Sequence, residues 1–182
     1  MEETTKVITG KVRFCYCNVF EPQAMNDGET PKYNVCILIP KSDKKTLDKI
    51  KKAIEAAKVV GKAKIADKNG KIPSTLKVPL RDGDEERSDD PVYEGMMFIN
   101  ASSTRKPTIV DKELNPIMSQ EEFYSGCYGR ASINFYAFNV QSKGIAAGLN
   151  NLQKLEDGES LVGGSTADED FGGKNAWDDE LM

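Results

Sequence analysis

Seven aromatic and seven cationic side chains fall on or beside strand-like sequence, and together they offer the two chemistries needed to hold a single-stranded nucleic acid. The aromatics are Tyr16, Tyr33, Phe98, Tyr124, Tyr128, Tyr136 and Phe138; the cations are Lys11, Arg13, Lys32, Arg105, Lys106, Arg130 and Lys143. Flat π faces stack bases whatever the sequence, and cations spaced along a groove neutralise phosphates. Tyr128 and Arg130 share a parity and are expected side by side on one outer face. A strand aromatic is also an ordinary core residue, so alternation alone leaves each position open between the two roles.

Catalytic chemistry is poorly provided for. The chain has no histidine, which excludes Ser-His-Asp and Cys-His nucleophile systems, and neither a dinucleotide-binding glycine motif nor a P-loop occurs. No catalytic residue and no cofactor is expected. The four cysteines, Cys15, Cys17, Cys36 and Cys127, form no Cys-x-x-Cys pair and read as reduced thiols rather than metal ligands. Asp82, Asp84 and Glu86 resemble the start of a calcium loop, but Arg87 stands where that loop needs a glycine. The run from 82 to 90 therefore reads as a solvated acidic loop, with no metal.

Charge is segregated along the chain. Residues 156–182 hold nine acidic groups against Lys174, a net of −8, which leaves +4 for residues 1–155. A mildly basic body with an acidic extension suggests a polyanion binder that carries its own competitor. Within the extension, Phe171 and Trp177 are set among Asp168, Glu169, Asp170, Asp178, Asp179 and Glu180. Such a peptide imitates a short oligonucleotide or docks on partner proteins. The expected division is a binding domain over 1–155 and a flexible acidic tail over 156–182. No run of 18 apolar residues and no signal sequence is visible, so a cytoplasmic chain without a membrane span, monomeric or homodimeric, is expected.

The elements that must position these groups are mostly strands. Residues 5–20 alternate as one long strand with Ile8, Val12, Phe14, Tyr16 and Phe20 on the inner parity, and residues 32–39 form a second. Ser42 is a plausible N-cap for a helix over 43–64 that faces inward through Leu47, Ile50, Ile54 and Ala57 and outward through lysines. An exposed loop is expected over 69–91, then strands over 96–101, 123–140 and 145–155, with a basic turn at 102–107. The fold class is mainly β: an OB-fold-like five-stranded antiparallel barrel with one amphipathic helix and a disordered acidic C-terminal tail.

Taken in order, ITGKVRF, VFEP, KYNVCILIPK, VPLRDGD, FINASSTRKP, YSGCYGRASINFYAF and KGIAAGLNNLQKL make a specific set. The chain resembles, from about Val7 to Asp170, the phage-encoded single-stranded DNA-binding proteins long catalogued as a bacteriophage domain of unknown function. That resemblance implies an OB-fold, sequence-independent binding of single-stranded DNA, and a role in phage DNA replication, recombination or repair in the host cytoplasm. It also implies an acidic tail that competes with DNA and recruits phage or host replication and recombination proteins, as in the functionally similar proteins of podophages. Two rival readings are a metal-dependent nuclease using the 82–90 carboxylates and a protein-only adaptor.

Overall fold

The computed structural model describes residues 4–24, 28, 30–73, 76–139 and 142–161. In chain order its elements are β1 (Lys6–Ile8), β2 (Val12–Gln23), β3 (Lys32–Pro40), α1 (Lys44–Val60), α2 (Lys62–Ile65), β4 (Arg81–Asp82), α3 (Gly83–Glu86), a 3-10 turn (Pro91–Tyr93), β5 (Met96–Ser103), β6 (Thr108–Val110), β7 (Tyr128–Asn139) and β8 (Lys143–Glu156).

The alternating runs of the sequence become a ring. β2 pairs with β3, β3 with β5, β5 with β8, β8 with β7, and β7 closes back on β2 through Val12↔Gly129 and Arg13↔Tyr128. The ring is mixed rather than antiparallel as expected, because β5 and β8 run parallel at Ala101↔Ala147 and Ser102↔Gly148. A parallel pair needs a long crossover, and residues 104–142, with the antiparallel hairpin partner β7 inside them, supply it.

Inside the ring lies one apolar core. β7 sends in Ala131, Ile133, Phe135 and Ala137, β3 sends in Val35, Ile37 and Ile39, and β2 sends in Val12, Phe14 and Val19. Helix α1 adds Leu47, Ile50, Ile54 and Ala57, the stripe its spacing predicts. Its cap is Asp43 rather than Ser42, with Oδ1 accepting from the Thr46 N–H at 3.2 Å. The expected single helix is divided into α1 and α2 at Gly61, which caps both and lies so near β7 that a Cβ there would be 2.3 Å from the Ala137 Cβ. No helix among the described residues is long and apolar enough to cross a membrane.

The expected long first strand is two strands. Thr9 is fully buried between them: its hydroxyl donates to the Gly10 carbonyl at 2.8 Å and accepts from the Ala131 N–H at 3.0 Å. That break reverses the inward parity, burying Val7 and leaving Ile8 47% exposed. β1 then pairs with β7 at Lys6↔Asn134 to Ile8↔Ser132, along the same edge that β2 meets at Gly129 and Tyr128.

The end of the expected exposed loop, from Arg81, folds back onto the ring together with Tyr93. Arg81 and Asp82 pair with Phe98 and Met97, and Tyr93 packs edge-on against Phe98 with ring centroids 5.1 Å apart. A second small core results, with Cys15, Cys36, Leu38, Tyr93 and Phe98 buried. The Tyr93 hydroxyl lies 3.8 Å from both the Cys15 and Cys36 sulfurs. Phe98 is 1% exposed, so it is a core residue and not a stacking surface.

Candidate nucleic-acid interface

One register row crosses the outside of the ring. Asn18 of β2 pairs with Asn34 of β3, Asn34 with Ser102 of β5, Ser102 with Gly148 of β8, and Gly148 with Asn134 of β7. Every side chain in the row is small or uncharged, and Asn18 Nδ2 donates to Asn34 Oδ1 at 3.0 Å. Such a row makes a low polar floor on which a chain of bases can lie.

An aromatic stands near each end of this floor, Tyr16 two residues before Asn18 on β2 and Tyr136 two residues after Asn134 on β7, both on the same side of the row. Tyr136 is 41% exposed, and its ring edge comes within 3.5 Å of where a Cβ on Gly148 would be. Glycine there leaves the ring lying low over β8. Tyr16 is 66% exposed at a break in the β2–β3 register and has a φ of 50°, a conformation uncommon for any residue but glycine. The bulge turns Tyr16 out of the inner parity its position predicts. Backbone outliers of this kind cluster at functional sites.

The basic turn begins one residue past the floor. Ser103, paired with Tyr33, accepts the Arg105 N–H at 3.0 Å, and Lys106 Nζ lies 5.7 Å from the centre of the Phe20 ring. Tyr33, Lys32, Arg105 and Lys106 thus gather at one end of β3 and β5, with Lys32 facing Gln23 across β2. Phe20, assigned to the core by parity, is half-buried and packs against the main core, with Lys106 over its ring on the outer side. Asn18, Asn34 and Ser102 were also missed; their recurrence at alternate positions of apolar strands was the available signal.

At the hairpin end, Phe138 covers Gly144, and Lys143 Nζ donates to the Ala66 carbonyl at 3.1 Å. Arg130 is exposed, but its Nε is bonded to the Thr9 carbonyl at 3.0 Å. Instead of Arg130, Lys11 and Arg13 stand over Tyr128, at 5.2 and 5.3 Å from the ring centre. Tyr128 and Arg130 share the outward face of β7 as their parity predicts, but the cations over the Tyr128 ring are Arg13 of β2 and Lys11 just before it.

Lys11, Arg13, Tyr124 and Tyr128 are engaged by the start of the acidic segment. Lys11 forms an ion pair with Glu156, and Arg13 donates to the Glu159 carbonyl at 2.8 Å and to the Gly126 carbonyl at 3.1 Å. The Tyr124 hydroxyl donates to the Gly158 carbonyl at 2.8 Å and accepts the Gly158 N–H at 3.1 Å. Lys154 pairs with Asp157 at 2.6 Å and holds that carboxyl below the ordinary carboxylate range. Leu161 N–H bonds the Ser125 carbonyl at 2.9 Å while its side chain packs on the second core. Residues 156–161 thus form a strap across these four candidates. Asp168, Glu169, Asp170, Phe171, Trp177, Asp178, Asp179 and Glu180 lie outside the described residues.

Asp82, Asp84, Glu86 and Asp90 are occupied in holding local structure. Lys41 Nζ bonds both Asp82 and Asp84 at 2.7 Å, and its hydrogen bonds lower both carboxyl pKa values. Asp82 caps α3 and Asp90 caps the 3-10 turn. No group of three metal-ligating side chains is found among the described residues.

Residues 5–182 match the family described as Enterobacter phage Enc34, ssDNA-binding protein. A protein of Acyrthosiphon pisum secondary endosymbiont phage 1, "Putative protein p50", is 32% identical over 169 residues, 89% of each chain. The single-stranded DNA-binding protein of bacteriophage Enc34, solved in complex with ssDNA, superposes with a TM-score of 0.74 at 26% identity, over 89% of this chain and 95% of that one. The single-stranded DNA-binding protein gp2.5 of bacteriophage T7 shares the fold, with a TM-score of 0.60 at 13% identity over 88% and 98% of the two chains.

Proposed function

Because the chain belongs to the family of the Enterobacter phage Enc34 ssDNA-binding protein, a family of binding proteins and not of enzymes, we propose that it binds single-stranded DNA without sequence preference across the outer wall of the ring. The observation that carries this reading is the uncharged row from Asn18 to Asn134, flanked by the exposed rings of Tyr16 and Tyr136. Bases stack on the two tyrosines; Lys32, Arg105, Lys106 and Lys143 neutralise phosphates at its ends. Carboxylates tied to Lys41 favour this over a nuclease.

The acidic segment regulates that binding and serves phage replication, recombination or repair by recruiting partners. Its root lies on Lys11, Arg13, Tyr124 and Tyr128, where it withholds two cations and two aromatics from DNA. Deleting residues 157–182 is expected to raise affinity for a labelled thymine oligonucleotide several-fold, measured by anisotropy at low salt. Unchanged affinity would contradict the competitor role while leaving the binding wall intact.

A further inference from the structure

The positive charge of the body does not sit on the wall just described. Residues 41–77 contain twelve lysines against four acidic residues, a net of +8, whereas the rest of residues 1–155 sums to −4. This stretch includes α1 and α2 and has no aromatic residue. On α1, Asp48 is paired with Lys52 at 3.1 Å and Glu55 with Lys58 at 2.9 Å. Lys44, Lys45, Lys49, Lys51, Lys62 and Lys64 are exposed and make no ion pair among the described residues.

From this we propose that the lysine face of α1 and α2 is a second DNA-binding surface, one that holds the phosphate backbone alone and takes single strand and duplex alike. It rests on the DNA-binding reading above and adds a surface to it. Helix α1 has 17 residues, about 25 Å at 1.5 Å per residue, and Lys45, Lys49 and Lys52 recur at the four- and three-residue spacing of one helix stripe. A phosphate backbone is a regular line of charge, and compact ammonium groups meet it without reading bases. With no aromatic to stack, this face cannot prefer unpaired bases, unlike the wall.

The two surfaces are separate but adjoining. The inward stripe of α1 joins the main core and Gly61 lies against Ala137 of β7, so the helices close an end of the ring with their lysines turned outward. They meet the wall at the β7–β8 hairpin, where Lys143 bonds the Ala66 carbonyl beyond α2. The hairpin that carries Tyr136 and Phe138 is therefore the junction between the two surfaces. Val59 and Val60, largely exposed at the end of α1, would suit an acidic peptide bearing aromatics, and the test includes that rival occupant.

The test compares the full chain with a variant carrying Lys→Gln at positions 44, 45, 49, 51, 62 and 64, since Gln matches Lys in helix propensity; circular dichroism checks the fold. Anisotropy titrations at several salt concentrations use a thymine oligonucleotide of roughly ten nucleotides, one of roughly forty, and a duplex. The short oligonucleotide should bind both proteins equally. The long strand and the duplex should bind the variant about tenfold or more weakly, with salt slopes shallower by about 0.7 and 0.9 for each phosphate no longer neutralised. Unchanged affinity and slope for both long ligands would overturn the proposal. So would loss of binding to a labelled peptide of residues 162–182 with DNA binding intact, which would assign the face to the acidic segment. If the full chain ignores the short oligonucleotide yet the duplex depends on these lysines, the wall reading fails and this one stands.

Discussion

Tyr16 and Tyr136 carry the same proposed task at the two ends of the floor, and only one of them was readable from its strand. In β7 the alternation from Gly129 to Ala137 is unbroken, so the outward placing of Tyr136 follows from period two. In β2 a bulge sends Tyr16 outward with a φ of 50°, and nothing in VRFCYCNVF marks that bulge. Phe98 shows the reverse error: its strand is right, but Tyr93 arrives from an irregular segment to cover it. Tyr16→Ala and Tyr136→Ala are each expected to weaken single-strand binding by about 1–3 kcal/mol, with little change in the urea midpoint. Phe98→Ala should instead cost about 3–5 kcal/mol of stability in the same denaturation experiment. A Tyr16→Ala protein that binds as tightly as the parent would remove the bulge from the account.

Among the elements, long strands were legible and short ones were not. β2, β3, β5, β7 and β8 all lie within or close to their predicted runs because each has enough alternating positions to show a period. β1, β4 and β6, of three, two and three residues, are fixed by pairing to a neighbour and carry no pattern of their own. The strap at 156–161 escaped notice because, beside its two ion pairs, it is held through backbone groups, the carbonyls of Gly158 and Glu159 and the Leu161 N–H, which sequence does not display. Gly158 is the point at which to test it: a Cβ there would lie 2.0 Å from the Gly126 carbonyl oxygen and 2.7 Å from the Tyr128 ring. Gly158→Ala should dislodge the strap, free Lys11 and Arg13, and raise single-strand affinity several-fold without altering either cation. The strap also responds to acid. The Asp157 pKa is lowered chiefly by its hydrogen bond from Lys154, so its stabilisation is complete above the ordinary carboxylate value of about 4 and disappears as pH falls through the lowered value. Hydrogen exchange at residues 157–161 should be unchanged from pH 7 to 5 and accelerate, relative to the intrinsic rate, below about pH 4.

For the molecule as a whole, the sequence shows a basic body and an acidic end, and the fold divides the body's charge between two surfaces. The wall is nearly neutral and aromatic, the helices are basic and without aromatics, and the strap ties up Lys11 and Arg13. Parallel pairing of β5 with β8 brings Ser102 beside Gly148 and so makes the floor continuous. That pairing depends on which strand returns beside which, something local alternation does not encode. The central claim is that the wall prefers unpaired bases. It is tested most directly by fluorescence anisotropy with a labelled thymine oligonucleotide and a matched duplex, using the full chain and residues 1–161 at two salt concentrations. The account expects tighter binding to the single strand than to the duplex, weakening with salt, with the preference kept when residues 162–182 are removed. Failure of both proteins to bind the single strand, or equal affinity for the two ligands, would contradict it.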